Sequence, residues 1–248
     1  MKNPAQGKAY EVVAERIRNK GPINFDLFMD IALYSEMGYY PNESPFGMKG
    51  DYYTSPTVHP MFGGMVALQL CQMWECLGRP EPFTVLEVGS GNGALANDIV
   101  TSLKASNSKC IDCLEYFTVD RIYPTIRVEG TVPLRPEHLS NLQRTGVVFS
   151  NELLDAMPTR VIEIRSGRIY EVMISLDSDE NLVEVLSENP MEELESLNII
   201  ANLPNLEGYR GPLSTRLEDW CRSVSSALET GFVVTVDYGM EREEYYSM

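Results

Sequence analysis

The chain has 248 residues, an apolar fraction of 44% and a formal net charge of −16, with a pI near 4.5. That length holds one large domain, or a core with an added lobe. The negative field opposes phosphate backbones and anionic membrane surfaces, so nucleic acid is excluded as an expected substrate and encounter with a cationic target is favoured.

The first residues, MKNPAQGKAYEVVAERIRNKG, lack the continuous apolar core of a signal peptide, and no later run is long and apolar enough to span a bilayer. The expectation is a soluble, cytoplasmic protein with no membrane span. Ala9, Val12, Val13 and Ile17 recur at helical spacing up to Gly21-Pro22. Phe25, Phe28, Ile31 and Ala32 give a second helix its apolar face, closed by Gly38-Tyr39-Tyr40-Pro41, and the two predict an N-terminal helical layer.

Residues 42–60, NESPFGMKGDYYTSPTVHP, hold no sustained period. A loop of this length inside a compact domain usually binds something or acts as a lid, and Asp51, Thr54 and Ser55 supply hydrogen-bonding groups. Asp51 and Ser55 equally suit local turn bonds. Met61 to Leu77 predicts an amphipathic helix with Val66, Leu70, Met73 and Leu77 inward.

The chain is organised around TVLEVGSGNGAL, Thr84 to Leu95. Thr84, Val85, Leu86 and Val88 suit a buried parallel strand, and Gly89, Gly91 and Gly93 allow a tight turn against a ligand before a helix from Ala94 to Leu103. Gly89 to Ala94 also satisfies G-x-G-x-x-A, so the glycines alone leave a nicotinamide dinucleotide and S-adenosylmethionine both open. Glu87 tilts the choice: an anion there repels a pyrophosphate and accepts hydrogen bonds around a cationic sulfonium.

Five scattered cysteines, Cys71, Cys76, Cys110, Cys113 and Cys221, argue against a disulfide framework. Cys110-x-x-Cys113 with only His59 and His138 elsewhere supplies too few ligands for a closed zinc site, and no metal is expected. The next strand, Glu115 to Asp120, ends in an acid placed to hold ribose hydroxyls, or to make a strand-end turn. Gly146 to Ser150 is another buried strand. The NELLDAMP that follows puts Asn151, Glu152 and Asp155 on the ligand-facing edge as candidate substrate contacts, or makes Asn151 a helix N-cap with the acids in the first turn.

VIEIRSGRIYEVMISL around Ser166-Gly167 is a hairpin signature and NLVEVL a third strand, together a small antiparallel insertion. The run from Glu171 to Glu195 holds acids and no Lys or Arg, a solvated face or a seat for a basic partner. Leu213 to Leu228 predicts a helix with Leu217, Trp220, Cys221, Val224 and Leu228 on one side, and Gly231 to Asp237 a final buried strand.

In this order, Gly21-Pro22-Ile23, Gly38-Tyr39-Tyr40, GDYYTSP at Gly50 to Pro56, EVGSGNG, SNELLDAMP and VDYG at Val236 to Gly239, the sequence resembles the MidA-like class I methyltransferases. That family includes a mitochondrial complex I assembly factor acting as a protein-arginine methyltransferase. The resemblance implies an α/β fold: a Rossmann-like, doubly wound class I methyltransferase sheet with an N-terminal helical layer and a small antiparallel insertion. It implies S-adenosylmethionine lying across Glu87, Gly89, Gly91 and Gly93 with its ribose near Asp120. Asp51, Thr54, Ser55 and Pro56 match the loop that closes over it, and Asn151 and Glu152 the motif facing a protein substrate, possible subunits of a respiratory complex included.

Thr57 stands where the family usually has glutamate, and the chain ends soon after Asp237, before the last strands of such a sheet, so an exposed sheet edge is expected. The expected division is 1–80 for the helices and closing loop and 81–248 for the core, with the insertion at about 160–186. Two other readings compete: a non-catalytic assembly protein keeping the fold, and an NAD(P)-dependent oxidoreductase.

Overall fold

A computed structural model describes residues 7–42, 59–106, 108–122, 124–192 and 207–241. In chain order the elements are α1 (Lys8–Lys20), β1 (Ile23–Asn24), α2 (Phe25–Met29) running into a π-helical turn at Asp30–Tyr34, α3 (Tyr39–Asn42), α4 (Met61–Cys76), β2 (Phe83–Val88) and α5 (Ala94–Ala105). After a 3₁₀ turn come β3 (Leu114–Val119), β4 (Thr131–Leu134), a second 3₁₀ turn, β5 (Arg144–Asn151), β6 (Arg160–Arg165), β7 (Arg168–Leu176), β8 (Leu182–Leu186) and β9 (Arg210–Leu213). The last two elements are α6 (Leu217–Ala227) and β10 (Leu228–Val236).

Two compact units divide the chain, and the division does not follow the expected cut at residue 80. One unit takes Ser44–Ala156 and Leu217–Tyr238, and the other takes Met1–Glu43, Met157–Arg216 and Gly239–Met248. Helix α4 therefore belongs with the parallel sheet, whereas the hairpin insertion shares its unit with the N-terminal helices.

The first unit carries the expected α/β architecture: a parallel sheet in the order β10-β5-β2-β3-β4. β2 is buried along its whole length, so its alternate side chains feed two cores. Phe83 and Val85 pack with Leu70, Trp74, Ile99 and Leu103 from α4 and α5. Leu86 and Val88 pack with Val119, Val148, Val224 and Ala227. Each such side chain, fully withdrawn from water, stabilises the sheet by roughly 1.5–3 kcal/mol.

β10 departs from the expected buried strand. It pairs with β5 alone among the described residues, and Phe232, Val233 and Val236 stand 37%, 49% and 40% exposed. Helix α6 likewise starts later than expected, with Leu217 and Cys221 exposed and Val224 buried. An apolar strand edge open to solvent templates pairing with other chains. Val233→Lys is expected to lower concentration-dependent light scattering at least about twofold while changing stability by no more than ~0.5 kcal/mol; scattering unaltered by the lysine would exclude this edge as the cause.

In the second unit β7 is the hub of an antiparallel sheet: β6 and then β1 follow one another along one edge, and β8 takes the other. β9 adds to the far side of β6. Ser166 and Gly167 turn the β6–β7 hairpin with φ of +51° and +69°, the two successive positive values that match strand twist in a two-residue loop. Four acids of the acidic run are paired within this unit: Glu171 with Arg160, Glu180 with Arg18, Glu184 with Arg210 and Glu192 with Arg168. Most of these pairs are exposed and screened by solvent, so they contribute little to stability. Arg160–Glu171 differs, with Glu171 5% exposed and held by two guanidinium hydrogen bonds. Among the described residues no helix is long and apolar enough to cross a membrane.

Candidate functional site

The order of the parallel sheet reverses between β2 and β5: from β2 the chain proceeds outward to β3 and β4, then returns to β5 on the other side. Loops at the carboxyl ends of these two strands flank a crevice, the place where open α/β sheets bind ligands. The residues there are the glycine turn after β2 and the segment 152–156 after β5.

The glycine turn is built as its sequence suggests. Gly89, Gly91 and Gly93 have φ of +76°, +54° and +88°, conformations that side chains with a Cβ rarely adopt. The turn is fixed by backbone bonds from Gly89 N–H to the Val119 carbonyl at 2.8 Å and from Gly93 N–H to the Ser90 carbonyl at 3.0 Å. Asn92 Oδ1 accepts from Ala94 N–H at the start of α5, at 3.0 Å.

Asp120, directly after β3, faces this turn. Its Oδ2 accepts the Gly91 N–H at 2.8 Å and its Oδ1 the Ile122 N–H at 3.2 Å. Burial raises its pKa from the ordinary value, and the backbone donors counter that rise. The aspartate thus braces the turn by accepting backbone donors on both oxygens.

Glu87 is 2% exposed, and its Oε2 accepts the Tyr116 hydroxyl at 2.7 Å. Burial pushes its pKa up to about 8, the Tyr116 bond pulling it back and the Asp120 charge adding to it. A carboxyl so placed keeps its proton at neutral pH and becomes an anion beside the turn only as pH approaches 8. Tyr116 was absent from the expected site. Its only signal in the sequence is an aromatic hydroxyl on the strand that pairs with β2.

After β5 the chain forms a turn rather than the helix that would have made Asn151 an N-cap. Asn151 ends the strand, and its Nδ2 donates to Glu152 Oε1 at 3.3 Å. Glu152 sits at φ +49°, a left-handed conformation uncommon for a residue with a long side chain. Leu153 lies across the glycine turn: a Cβ on Gly89 would fall 2.9 Å from Leu153 Cδ1. The two loops are therefore in direct contact. Asp155 is exposed, and its carboxyl is raised by burial first and by the neighbouring Asp237 charge second.

Two buried polar atoms in these loops, Ser90 Oγ and Asn151 Oδ1, have no hydrogen-bond partner among the described residues. Buried polar atoms are seldom left so, and orphans on both sides of one crevice are what a ligand with polar groups would satisfy. Asp51, Thr54, Ser55 and Pro56 lie outside the described residues.

A family model described as "Putative S-adenosyl-L-methionine-dependent methyltransferase" matches residues 65–248. A Drosophila melanogaster protein named as a mitochondrial protein arginine methyltransferase NDUFAF7 homolog is 24% identical over 94% of this chain and 60% of its own length. The Bos taurus protein arginine methyltransferase NDUFAF7 is 30% identical over 65% of this chain and 44% of its own. The chain thus spans about half the length of these curated relatives. A Burkholderia thailandensis crystal structure bound to S-adenosyl-homocysteine superposes with a TM-score of 0.81 at 26% identity, over 99% of this chain and 67% of that one.

Proposed function

Because the chain belongs to the S-adenosyl-L-methionine-dependent methyltransferase family whose model spans residues 65–248, we propose that it transfers a methyl group from that cofactor to an arginine nitrogen of a protein. The observation that carries the reading is the contact between the two loops at the switch point. A left-handed glycine turn, braced by Asp120, touches the loop that presents Glu152.

S-adenosylmethionine supplies an electrophilic methyl on a sulfonium. Gly89, Gly91 and Gly93 would hold it with Asp120 and Ser90 Oγ, unpartnered among the described residues, nearby; Glu87, expected as an anion that repels a pyrophosphate, instead keeps its proton until about pH 8, where a bound cation favours its ionised form. Methyl transfer is an in-line displacement, so the residues have to align the acceptor and exclude water. Glu152 would orient a guanidinium by paired charge-assisted hydrogen bonds and offset the positive charge that grows on the attacking nitrogen. Asn151, bonded to the Glu152 carboxylate, limits where that carboxylate points. Asp155 adds a second anion on the same loop, in keeping with a cationic substrate.

Glu152→Gln is expected to leave S-adenosylhomocysteine affinity within threefold of wild type and lower turnover at least about tenfold, since the neutral amide loses the charge term of a guanidinium contact. Titration with S-adenosylhomocysteine, S-adenosylmethionine and NADH, followed by transfer of labelled methyl to arginine-containing peptides, checks both. Binding of NADH alone would favour the oxidoreductase reading. Adenosyl binding without transfer to any peptide or protein would favour an assembly role.

The substrate class to test first is a respiratory-complex subunit, following the family resemblance. The relatives' names carry a mitochondrial location, against the cytoplasmic one expected from the first residues. Fractionation of cells expressing the chain distinguishes the two.

A further inference from the structure

We infer that Asp237, directly after β10, is a positioning residue that clamps the loop carrying Glu152 into its left-handed conformation. The inference rests on the function proposed above for what the loop does, and on hydrogen-bond geometry alone for how the loop is held.

β10 runs parallel to β5 with Val236 opposite Asn151. Beyond that pair the regular ladder stops, and the end of β10 takes over the amides of the following loop one by one. Glu152 N–H donates to the Val236 carbonyl at 2.9 Å. Leu154 N–H and Asp155 N–H donate to the same Asp237 oxygen, Oδ2, at 2.8 and 3.3 Å. Asp237 Oδ1 accepts the Tyr238 N–H at 2.8 Å, which fixes the carboxylate plane.

Glu152, with φ +49°, is thus anchored at its own amide and again two residues on, at Leu154. A residue in a sparsely populated region persists only when its surroundings over-determine it, and such residues concentrate where a side chain must be aimed. A carboxylate oxygen with several lone-pair sites can serve two amides at once, which a neutral hydroxyl or a water does less well. The same clamp keeps Leu153 against the glycine turn, so loss of Asp237 disturbs acceptor geometry before it disturbs the turn itself.

The test compares Asp237→Ala and Asp237→Asn with wild type. Amide hydrogen exchange at Leu154 is read first, without any ligand. S-adenosylhomocysteine titration follows, and then kcat and KM for labelled methyl transfer to a Gly-Arg repeat peptide. Asp237→Ala is expected to lose at least tenfold in Leu154 protection and at least tenfold in kcat, with adenosyl affinity within threefold. Asp237→Asn keeps an oxygen for Leu154 and is expected to recover most of both losses.

Should the alanine variant fail to fold, Asp237→Glu, which displaces the carboxylate by one methylene, takes its place. Unchanged Leu154 exchange in the alanine or glutamate variant overturns the clamp. So does an asparagine variant as impaired as alanine in both readouts. A wild-type protein that never methylates the peptide counts against the proposed substrate class, and the exchange measurement still decides the clamp.

Discussion

Gly93→Val is expected to abolish measurable binding of S-adenosylhomocysteine, a loss of at least about 100-fold, or roughly 2.7 kcal/mol. Gly93 has φ +88°, a region a β-branched residue enters only under strain, and it is the first residue before α5. A Cβ there would stand 2.9 Å from the Ile126 carbonyl oxygen and 3.1 Å from Pro124 Cβ. Ile126 cannot simply step aside, because its own N–H is bonded to the Asn92 carbonyl at 2.9 Å within the same turn. The strain therefore moves the turn, and with it the Gly91 amide that Asp120 holds.

Gly89→Ala makes the informative contrast. Its Cβ would meet Leu153 Cδ1, the free end of a flexible side chain. The expected loss is nearer tenfold, with part of it appearing in turnover because Leu153 belongs to the Glu152 loop. Calorimetric titration of both variants, with far-UV dichroism to confirm the sheet, checks the ranking. Valine at position 93 binding as tightly as glycine would remove the turn from the cofactor site.

What could be read from the sequence was local. The strand, turn and helix around Gly89 to Gly93 and the hairpin at Ser166-Gly167 are each encoded by contiguous residues whose conformational preferences agree, and the structure has them where the sequence put them. Elements defined by distant pairing were not visible. β1 is two residues long and exists because Ile23 and Asn24 meet Ile174 and Met173. β9 and β4 contain Gly-Pro and Pro, which read as breakers until β6 and β3 are known to lie beside them.

Apolar content made β10 look buried, but burial depends on what covers a strand, and its composition is the same at an edge. Within the site, Gly89, Gly91, Gly93, Glu152 and Asp120 gather at the expected end of the sheet. The partners that give them their properties, Tyr116 under Glu87 and Asp237 beside Leu154, come from other strands, and no spacing rule links them.

Glu87→Gln is expected to flatten the pH dependence of stability between about pH 4.5 and 8. The Glu87 carboxyl is raised from the ordinary 4.5 to about 8, chiefly by burial. Below pH 4.5 the group is protonated in folded and unfolded chains alike and favours neither. As pH rises from there, the unfolded chain releases the proton while the folded chain keeps it, so stability falls until the folded group ionises near pH 8 and then levels off. At roughly 1.4 kcal/mol per pH unit the whole interval amounts to about 5 kcal/mol as a ceiling.

Glutamine still accepts the Tyr116 hydroxyl and has no proton to lose. The difference between wild type and variant in urea unfolding isolates this one carboxyl from the many other acids of the chain. That difference should favour the variant increasingly from pH 5 to pH 8, and a constant difference would mean that Glu87 is ionised in the native protein. A ligand that brings a cation into the glycine turn stabilises the ionised form. S-adenosylmethionine should then gain affinity over S-adenosylhomocysteine as pH rises toward 8 in wild type, while their ratio in Glu87→Gln stays flat. Glu87 would in that case be the residue through which the turn distinguishes a sulfonium from its neutral product.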